Sequence, residues 1–175
     1  MSAAAPVVRE PSLHPIHTIS CFVNNKPGVL VRVALVFSRR GFNIESLVVS
    51  PVVEGRFSRM TMTCLGAAAD LDQVVRQLAK LVDVVHAIDH TGDESYETEI
   101  ALVKLEASLD SRTEILQVAE HFKAKVVDYG SDSLILQVHG PSEKLDAFID
   151  LLRPFRLTDL VRSGKLLMAR GLRVT

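Results

Sequence analysis

The feature that most constrains the fold is an alternation of apolar periodicity that runs through the chain twice. From His17 onward, segments with an apolar residue at every second position alternate with segments in which the spacing is three or four. A period of two indicates a strand and a period near 3.6 indicates a helix. Each cycle reads strand, helix, strand, strand, helix, strand, which predicts an α+β protein of two tandem ferredoxin-like βαββαβ domains. That architecture supports many unrelated activities, so it predicts no function by itself.

The first cycle is predicted to span residues 17–91. Its strands are expected over 17–23, 44–49, 57–65 and 82–88. The first helix carries its apolar face on Leu30, Val33, Ala34 and Phe37. The second helix is expected to start at Asp70 as N-cap, because a carboxylate accepts hydrogen bonds from the free amides of a first turn. Its apolar face is formed by Leu71, Val74, Val75 and Leu78.

The second cycle is predicted to span residues 97–175, after a polar linker at 92–96. Its strands are expected around 101–107 and over 125–128, 133–138 and 155–161. Ser111 and Glu114 have the spacing of a capping box, which predicts the start of one helix. Pro141 is placed at the first position of the other, where a missing amide is tolerated.

The composition narrows the class of protein. Hydrophobic residues make up 47% and charged residues 23% of the chain, and the formal net charge is −1. These values are typical of a globular domain without a strong field for nucleic acid or an anionic membrane. No apolar run approaches the ~20 residues needed to span a bilayer, so a cytoplasmic location is expected. Residues 1–16 contain three prolines and lack a signal-peptide core, and they are predicted to be a disordered tail. Cys21 and Cys64 fall in predicted strands, which favours buried reduced thiols over a disulfide.

The turn Asn25-Lys26-Pro27-Gly28 joins the first strand to the first helix. Amides of a first helical turn have no partner within the helix and lie at the positive end of its dipole, where a carboxylate fits. Asn43 follows the helix and offers both a donor and an acceptor, which together suit an α-amino acid. A local interpretation explains the same residues, because asparagine and glycine also favour helix caps and turns.

The first helix is apolar nearly all round. Arg32 is the only polar residue between Val29 and Phe37. A helix of this kind is usually buried on more than one side, which a small isolated domain cannot provide. The pattern therefore predicts association with another chain.

The same segments resemble the small subunit of acetohydroxyacid synthase, also called acetolactate synthase. The resemblance is carried by the sequence of residues 25–33 and 37–47, and it continues through 58–61, 77–84, 99–104, 144–148, 162–164 and 170–171. It covers the chain from about His17 to Gly171. It implies an N-terminal ACT domain, which is an amino-acid-sensing ferredoxin-like domain, followed by a regulatory-subunit domain of similar topology.

The resemblance also implies a function. ACT domains of that family form side-by-side homodimers and bind valine at the interface, with isoleucine and leucine as further branched-chain candidates. The implied ligand-binding residues are Asn25, Lys26, Pro27, Gly28, Val29, Leu30, Asn43 and Ile44, with Asn43 and Ile44 coming from the partner chain. The chain would be a non-catalytic regulatory subunit in branched-chain amino-acid biosynthesis that activates a catalytic large subunit and confers feedback inhibition. Thiamine diphosphate, Mg²⁺ and FAD would belong to that partner transferase, with no cofactor or metal in this chain.

Other interpretations remain open at this point. The stretch from Arg153 to Thr175 contains six basic residues and one acid, Asp159, so an ACT-containing DNA-binding regulator is the alternative. Its lack of a recognition-helix motif favours a solvated or partner-facing edge. The pairs His86 with His90 and His14 with His17 do not converge as metal ligands on a strand end or in a tail. No serine or cysteine lies in a recognisable catalytic motif, so a stand-alone enzyme is disfavoured.

Overall fold

A computed structural model describes residues 15–52 and 54–175. Within these ranges the chain divides into two compact units. The first comprises residues 15–96 together with Gly164–Thr175, and the second comprises Glu97–Ser163. The sequence pattern predicts a second domain over 97–175, whereas the last twelve of these residues are grouped with the first unit. The predicted tail lies outside the described residues up to position 14, and Ile16 already belongs to a strand.

The first unit has the predicted βαββαβ order. Its elements are β1 (Ile16–Asn24), α1 (Val29–Arg39), β2 (Ile44–Pro51), β3 (Phe57–Leu65), α2 (Ala68–Leu78) and β4 (Val84–Asp89). The strands form an antiparallel sheet in the order β2-β3-β1-β4, which leaves β2 at one edge. The arrangement confirms the ferredoxin-like prediction for this part of the chain.

The two faces of this sheet differ in chemistry because side chains alternate along each strand. The helix-facing side is apolar and forms the core with Ile19, Cys21, Val23, Met60, Met62, Cys64, Leu71, Val74 and Leu78. The opposite side carries hydroxyl groups that are equally buried, namely Thr18, Ser20, Thr61 and Thr63. Residues 164–175, which include the short strand β9 (Leu166–Ala169), belong to this same unit.

The second unit repeats the order. Its elements are β5 (Ser95–Glu106), α3 (Leu109–His121), β6 (Lys125–Tyr129), β7 (Ser133–Gly140), α4 (Ser142–Leu152) and β8 (Leu157–Arg162). β5 begins at Ser95, inside the predicted linker, and the strands β6-β7-β5-β8 repeat the order of the first sheet, with β9 paired to β5 as a fifth strand. One apolar face packs on the two helices through Ala101, Val103, Leu105, Ile115, Leu134, Leu136, Val138, Leu145, Phe148 and Leu152.

Three predicted helix starts are wrong by one to three residues. Ala67 is the N-cap of α2, and Asp70 lies inside the first turn, where its charge still complements the dipole. Ser108 is the N-cap of α3, and its side chain accepts a hydrogen bond from the amide of Ser111. A serine at each position of the pair made the cap ambiguous from sequence. Pro141 is the N-cap of α4 in an extended conformation rather than its first helical residue.

Candidate functional site

The turn before α1 presents open backbone at the start of the helix. Gly28 is the N-cap, with φ of 84° and no side-chain cap hydrogen bond, and α1 begins at Val29. This left-handed conformation favours glycine. A Cβ built on Gly28 meets nothing within 4 Å, so the helix start is open to an approaching group. Pro27 therefore precedes the cap, and does not occupy the first helical position.

Asn25 has a different local role from the helix cap considered above. Its amide Nδ2 donates to the carbonyl of Gly55 at 2.9 Å, and its backbone amide donates to the carbonyl of Arg56 at 2.9 Å. Both bonds fix the turn to the connection between β2 and β3. The interpretation of Asn25 as the N-cap of α1 is therefore wrong, and its side chain positions the turn instead.

An ion pair that sequence reasoning missed supports the other side of the turn. The guanidinium of Arg32 lies 2.5 Å from the carboxylate of Asp83, which is largely buried. The other carboxylate oxygen of Asp83 accepts from Nδ2 of Asn24 at 3.4 Å, and the backbone carbonyl of Asp83 accepts from the amide of Asn24 at 2.8 Å. Arg32 and Asp83 are 51 residues apart, and no local pattern announces such a contact.

Asn43 and Ile44 lie at the other end of α1. The helix ends at Arg39, Gly41 turns the chain with φ of 73°, and the exposed Asn43 donates from Nδ2 to the Glu45 carboxylate at 2.8 Å. A shallow surface depression is lined here by Ala34, Phe37, Ser38, Gly41, Phe42, Asn43 and Ile44. Because α1 has 11 residues, its two ends are about 16 Å apart. One chain therefore places the eight predicted site residues in two separate groups.

Exposed apolar side chains connect these two groups. Val29 is buried, but Leu30, Val31 and Leu35 are 40%, 61% and 43% exposed along α1. Val49 of the edge strand β2 is 44% exposed. The helix is thus apolar on a side that its own domain does not cover, as the sequence pattern indicated. An uncovered apolar helix face beside a free strand edge is typical of an association surface.

The other groups considered from sequence take structural positions. His86 stacks on Phe22, whereas Nε2 of His90 lies 2.8 Å from the Ser20 hydroxyl, and no cluster of metal-ligating side chains occurs within 15–52 and 54–175. His14 lies outside the described residues. Burial raises the pKa of Cys21 to about 12, as expected for an inert core thiol.

At least three of the six basic residues in the C-terminal stretch form ion pairs. Arg153 pairs with Asp150, Arg156 with Glu106, and Arg162 with both Glu99 and Asp146. Paired guanidinium groups contribute less to the attraction of a phosphate backbone than free ones. The structure therefore offers no support for the DNA-binding alternative in these three arginines.

Comparison with known proteins decides the family. Residues 19–86 match the family described as the AHAS small subunit-like ACT domain, and residues 98–171 match the small subunit of acetolactate synthase. The chain belongs to the acetolactate synthase small-subunit family. It is 43% identical over 155 residues to the probable acetolactate synthase small subunit of Archaeoglobus fulgidus, covering 89% of this chain and 97% of that one. The acetolactate synthase small subunit of Mycolicibacterium smegmatis is 40% identical over 157 residues, with 90% and 92% covered.

A solved structure extends the similarity to three dimensions. The acetolactate synthase small subunit from Thermotoga maritima superposes with a TM-score of 0.80 at 33% identity, covering 90% of this chain and 98% of that one. Acetolactate synthase small subunits are a regulatory-subunit family, and membership implies a separate catalytic partner. None of the helices among the described residues has the length and hydropathy needed to cross a membrane.

Proposed function

We propose that this small subunit binds valine at an interface between two ACT domains and passes this signal to a catalytic large subunit. The observation that carries the proposal is the separation of the site residues. The turn Asn25–Gly28 and the pair Asn43–Ile44 lie at opposite ends of α1, joined by apolar side chains that the chain leaves exposed. The start of α1 would bind the carboxylate of an amino-acid ligand, and Asn43 beyond its end would bind the ammonium group.

A twofold pairing would bring the halves together. In an isologous dimer a contact of one residue with a second is repeated as the contact of the second with the first. When the twofold axis is perpendicular to the helices, two α1 helices packed side by side run in opposite directions. The start of one helix then lies beside the end of the other. Pairing of the two β2 edge strands would continue the sheet across the dimer. Leu30, Val31 and Leu35 would be covered in the same step.

The chemistry of the two halves is complementary to a branched-chain amino acid. The ligand carboxylate fits the open amides at the start of α1. The ammonium group fits the side-chain carbonyl of Asn43 from the partner chain, with the carboxylate of Glu45 adding negative charge nearby. Leu30 and Ile44 would form the apolar part of the pocket, whereas the side chain of Val29 is buried in the core and would not line it. Selectivity among valine, isoleucine and leucine depends on single methylene groups, each worth only ~1 to 3 kcal/mol.

The consequence for catalysis follows from linkage. The small subunit raises the activity of the large subunit, and valine lowers it again by binding more tightly to the less active state of the complex, with a coupling of about 1 to 3 kcal/mol. Thiamine diphosphate, Mg²⁺ and FAD belong to the large subunit, and this chain contributes no catalytic group. We place the complex in the cytoplasm, in branched-chain amino-acid biosynthesis.

Calorimetry on three variants tests the shared site. Gly28→Asp places a negative charge where the ligand carboxylate would lie, and Gly28→Asn is its neutral control of equal size. The open space around Gly28 accepts either side chain, and both residues tolerate the left-handed conformation. We expect Gly28→Asp to weaken valine binding at least tenfold more than Gly28→Asn. Asn43→Ala should also weaken binding. Equal affinity of Asn43→Ala and wild type would contradict the assignment.

Mixing two defective variants tests whether each site uses two chains. A hybrid of Gly28→Asp with Asn43→Ala has one site with both defects and one intact site. Random re-pairing of an equal mixture makes about half of the dimers hybrid, so about a quarter of the sites should bind valine with wild-type affinity. If the mixture after re-pairing recovers no high-affinity sites, the site lies within one chain.

A further inference from the structure

The segment 164–175 crosses the polar face of the ACT sheet, and its role is not explained by the effector site. It follows directly on Ser163, the last residue of the second unit, yet it belongs to the first unit. It contacts that sheet at both edges. Gly164 packs on the edge strand β2, and the backbone oxygen of Thr175 lies 3.2 Å from Nε2 of His86 on the opposite edge strand, β4.

The contact at Gly164 is close. A Cβ built on Gly164 would lie 3.0 Å from Cβ of Ser46 and 3.3 Å from Cγ2 of Val48. Gly164 is buried and has φ of 81°, so both its conformation and its surroundings favour glycine. Ser46 is held in place in turn, because its hydroxyl lies 2.6 Å from the hydroxyl of Thr63 on β3. A displacement of β2 at this point would therefore also displace Gly164.

β2 begins at Ile44, directly after Asn43, so the proposed effector residues lie at its start. Its pairing with β3 is irregular between Ile44 and Ser46, where Glu45 is the extra residue. Such bulges interrupt the ladder and redirect side chains locally. The irregularity lies between Ile44 on one side and the Gly164 contact at Ser46 on the other, so the regular pairing with β3 is interrupted between the proposed ligand residues and that contact.

The far part of the segment is fixed by its own hydrogen bonds. The amide of Ala169 donates to the Thr175 hydroxyl at 2.9 Å, and the amide of Arg170 donates to the carbonyl of Glu94 at 3.3 Å. Thr175 is 4% exposed. These hydrogen bonds hold the far end of the segment in place. A movement of β2 at Gly164 would therefore displace the residues that precede Gly164.

We propose that the segment 164–175 couples the effector site to the second unit, with the Gly164 contact on Ser46 and Val48 as the point where β2 acts on it. The proposal rests on the proposed function, because it assumes an effector bound at Asn43 and Ile44. It makes Gly164 a positioning residue for regulation that does not touch the ligand.

The test compares Gly164→Ala with Gly171→Ala in a complex reconstituted with the catalytic large subunit. Both glycines lie in the same segment and have positive φ, of 81° and 72°, so both substitutions carry the same backbone strain. Only Gly164→Ala pushes on β2, because a Cβ on Gly171 meets nothing within 4 Å. Valine affinity of the free small subunit, acetolactate formation without valine, and inhibition by valine are measured for each variant.

We expect both variants to bind valine within about twofold of wild type and to activate the large subunit normally. Gly164→Ala should weaken the coupling between valine and activity by about two- to thirtyfold, and Gly171→Ala should leave it unchanged. Equal inhibition of both variants and wild type would overturn the proposal, as would an equal loss in both. A wild-type protein that neither activates the large subunit nor binds valine would instead overturn the proposed function.

A second variant covers the case in which Gly164→Ala does not fold. Val48→Ala removes both γ-methyl groups of Val48, including Cγ2, which faces Gly164, and it leaves the backbone conformation allowed. Circular dichroism verifies that the variant is folded before the inhibition assay. Reduced coupling with retained valine binding supports the segment as the connector. Unchanged coupling in Val48→Ala contradicts it.

Discussion

Removing the charge of Glu99 should destabilise the second unit far more than removing the charge of Glu106 on the same strand. The side chain of Glu99 is 8% exposed. Its carboxylate accepts from the Ser142 hydroxyl at 2.5 Å and from Nε and a terminal nitrogen of Arg162 at 3.0 and 2.6 Å. Burial lowers the pKa of Arg162, but its hydrogen bonds and ion pairs with Glu99 and Asp146 outweigh this, so the pKa rises above its usual value.

The expected magnitude follows from what Arg162 retains. Breaking a buried ion pair by removing one partner typically costs ~3 to 5 kcal/mol. Arg162 is 26% exposed and keeps Asp146, so we expect Glu99→Gln to cost about 2 to 3 kcal/mol. The control is Glu106→Gln on the same strand. Glu106 pairs with Arg156 at 3.1 Å, but the two side chains are 49% and 78% exposed, and such pairs contribute below about 1 kcal/mol.

Urea unfolding followed by circular dichroism measures both variants. Amide hydrogen exchange in β5 and β8 locates the loss, because these two strands carry Glu99 and Arg162. The result predicted is a clear fall in the unfolding midpoint for Glu99→Gln and almost none for Glu106→Gln. Equal midpoints for the two variants would show that the buried pair contributes no more than a surface pair, which would refute the reasoning.

Two further predictions concern the thiols and a helix cap. Burial raises the pKa of Cys21 to about 12 and that of Cys64 to about 11, the latter with smaller contributions from nearby acids, so neither thiol should react with a disulfide reagent at pH 8 until the protein is unfolded. Rapid labelling of the native protein would contradict this. Ser108→Ala should cost about 1 kcal/mol of stability in urea unfolding because Ser108 caps α3, whereas Ser111→Ala should cost clearly less. A larger loss of stability for Ser111→Ala than for Ser108→Ala would instead support the capping box predicted from sequence.

The architecture could be predicted from the sequence because it depends on short-range periodicity. β3 has the predicted bounds and most other strands differ by one or two residues at an end, but β5 begins about six residues early, at Ser95, and β9 was not predicted. Helix starts were less certain. A serine three residues before Ser111 can cap the same helix, and in the structure the side chain of Ser108 accepts from the amide of Ser111. The grouping of 164–175 with the first unit could not be predicted from sequence. No change in the apolar pattern marks Gly164, and the segment continues directly from the second domain.

The candidate site was less accessible to sequence reasoning than the fold. Chemistry identified the turn Asn25–Gly28 as open to a carboxylate, but a capping role for Asn25 explained the same residues until its bond to Gly55 excluded it. The Arg32–Asp83 pair could not be foreseen, since its partners come from distant elements. The apolar helix predicts association with a second chain, and the length of α1 between the two groups of residues is the structural argument for the proposed two-chain site.

The most direct test of the central claim is the rate of acetolactate formation by the catalytic large subunit, measured alone, with this small subunit, and with the small subunit plus valine. The proposed function predicts that the small subunit raises the rate and that valine lowers it again for wild type. With Asn43→Ala, the activation should remain and the effect of valine should be lost or greatly weakened. A small subunit that leaves the rate unchanged, or Asn43→Ala responding to valine like wild type, would contradict the claim.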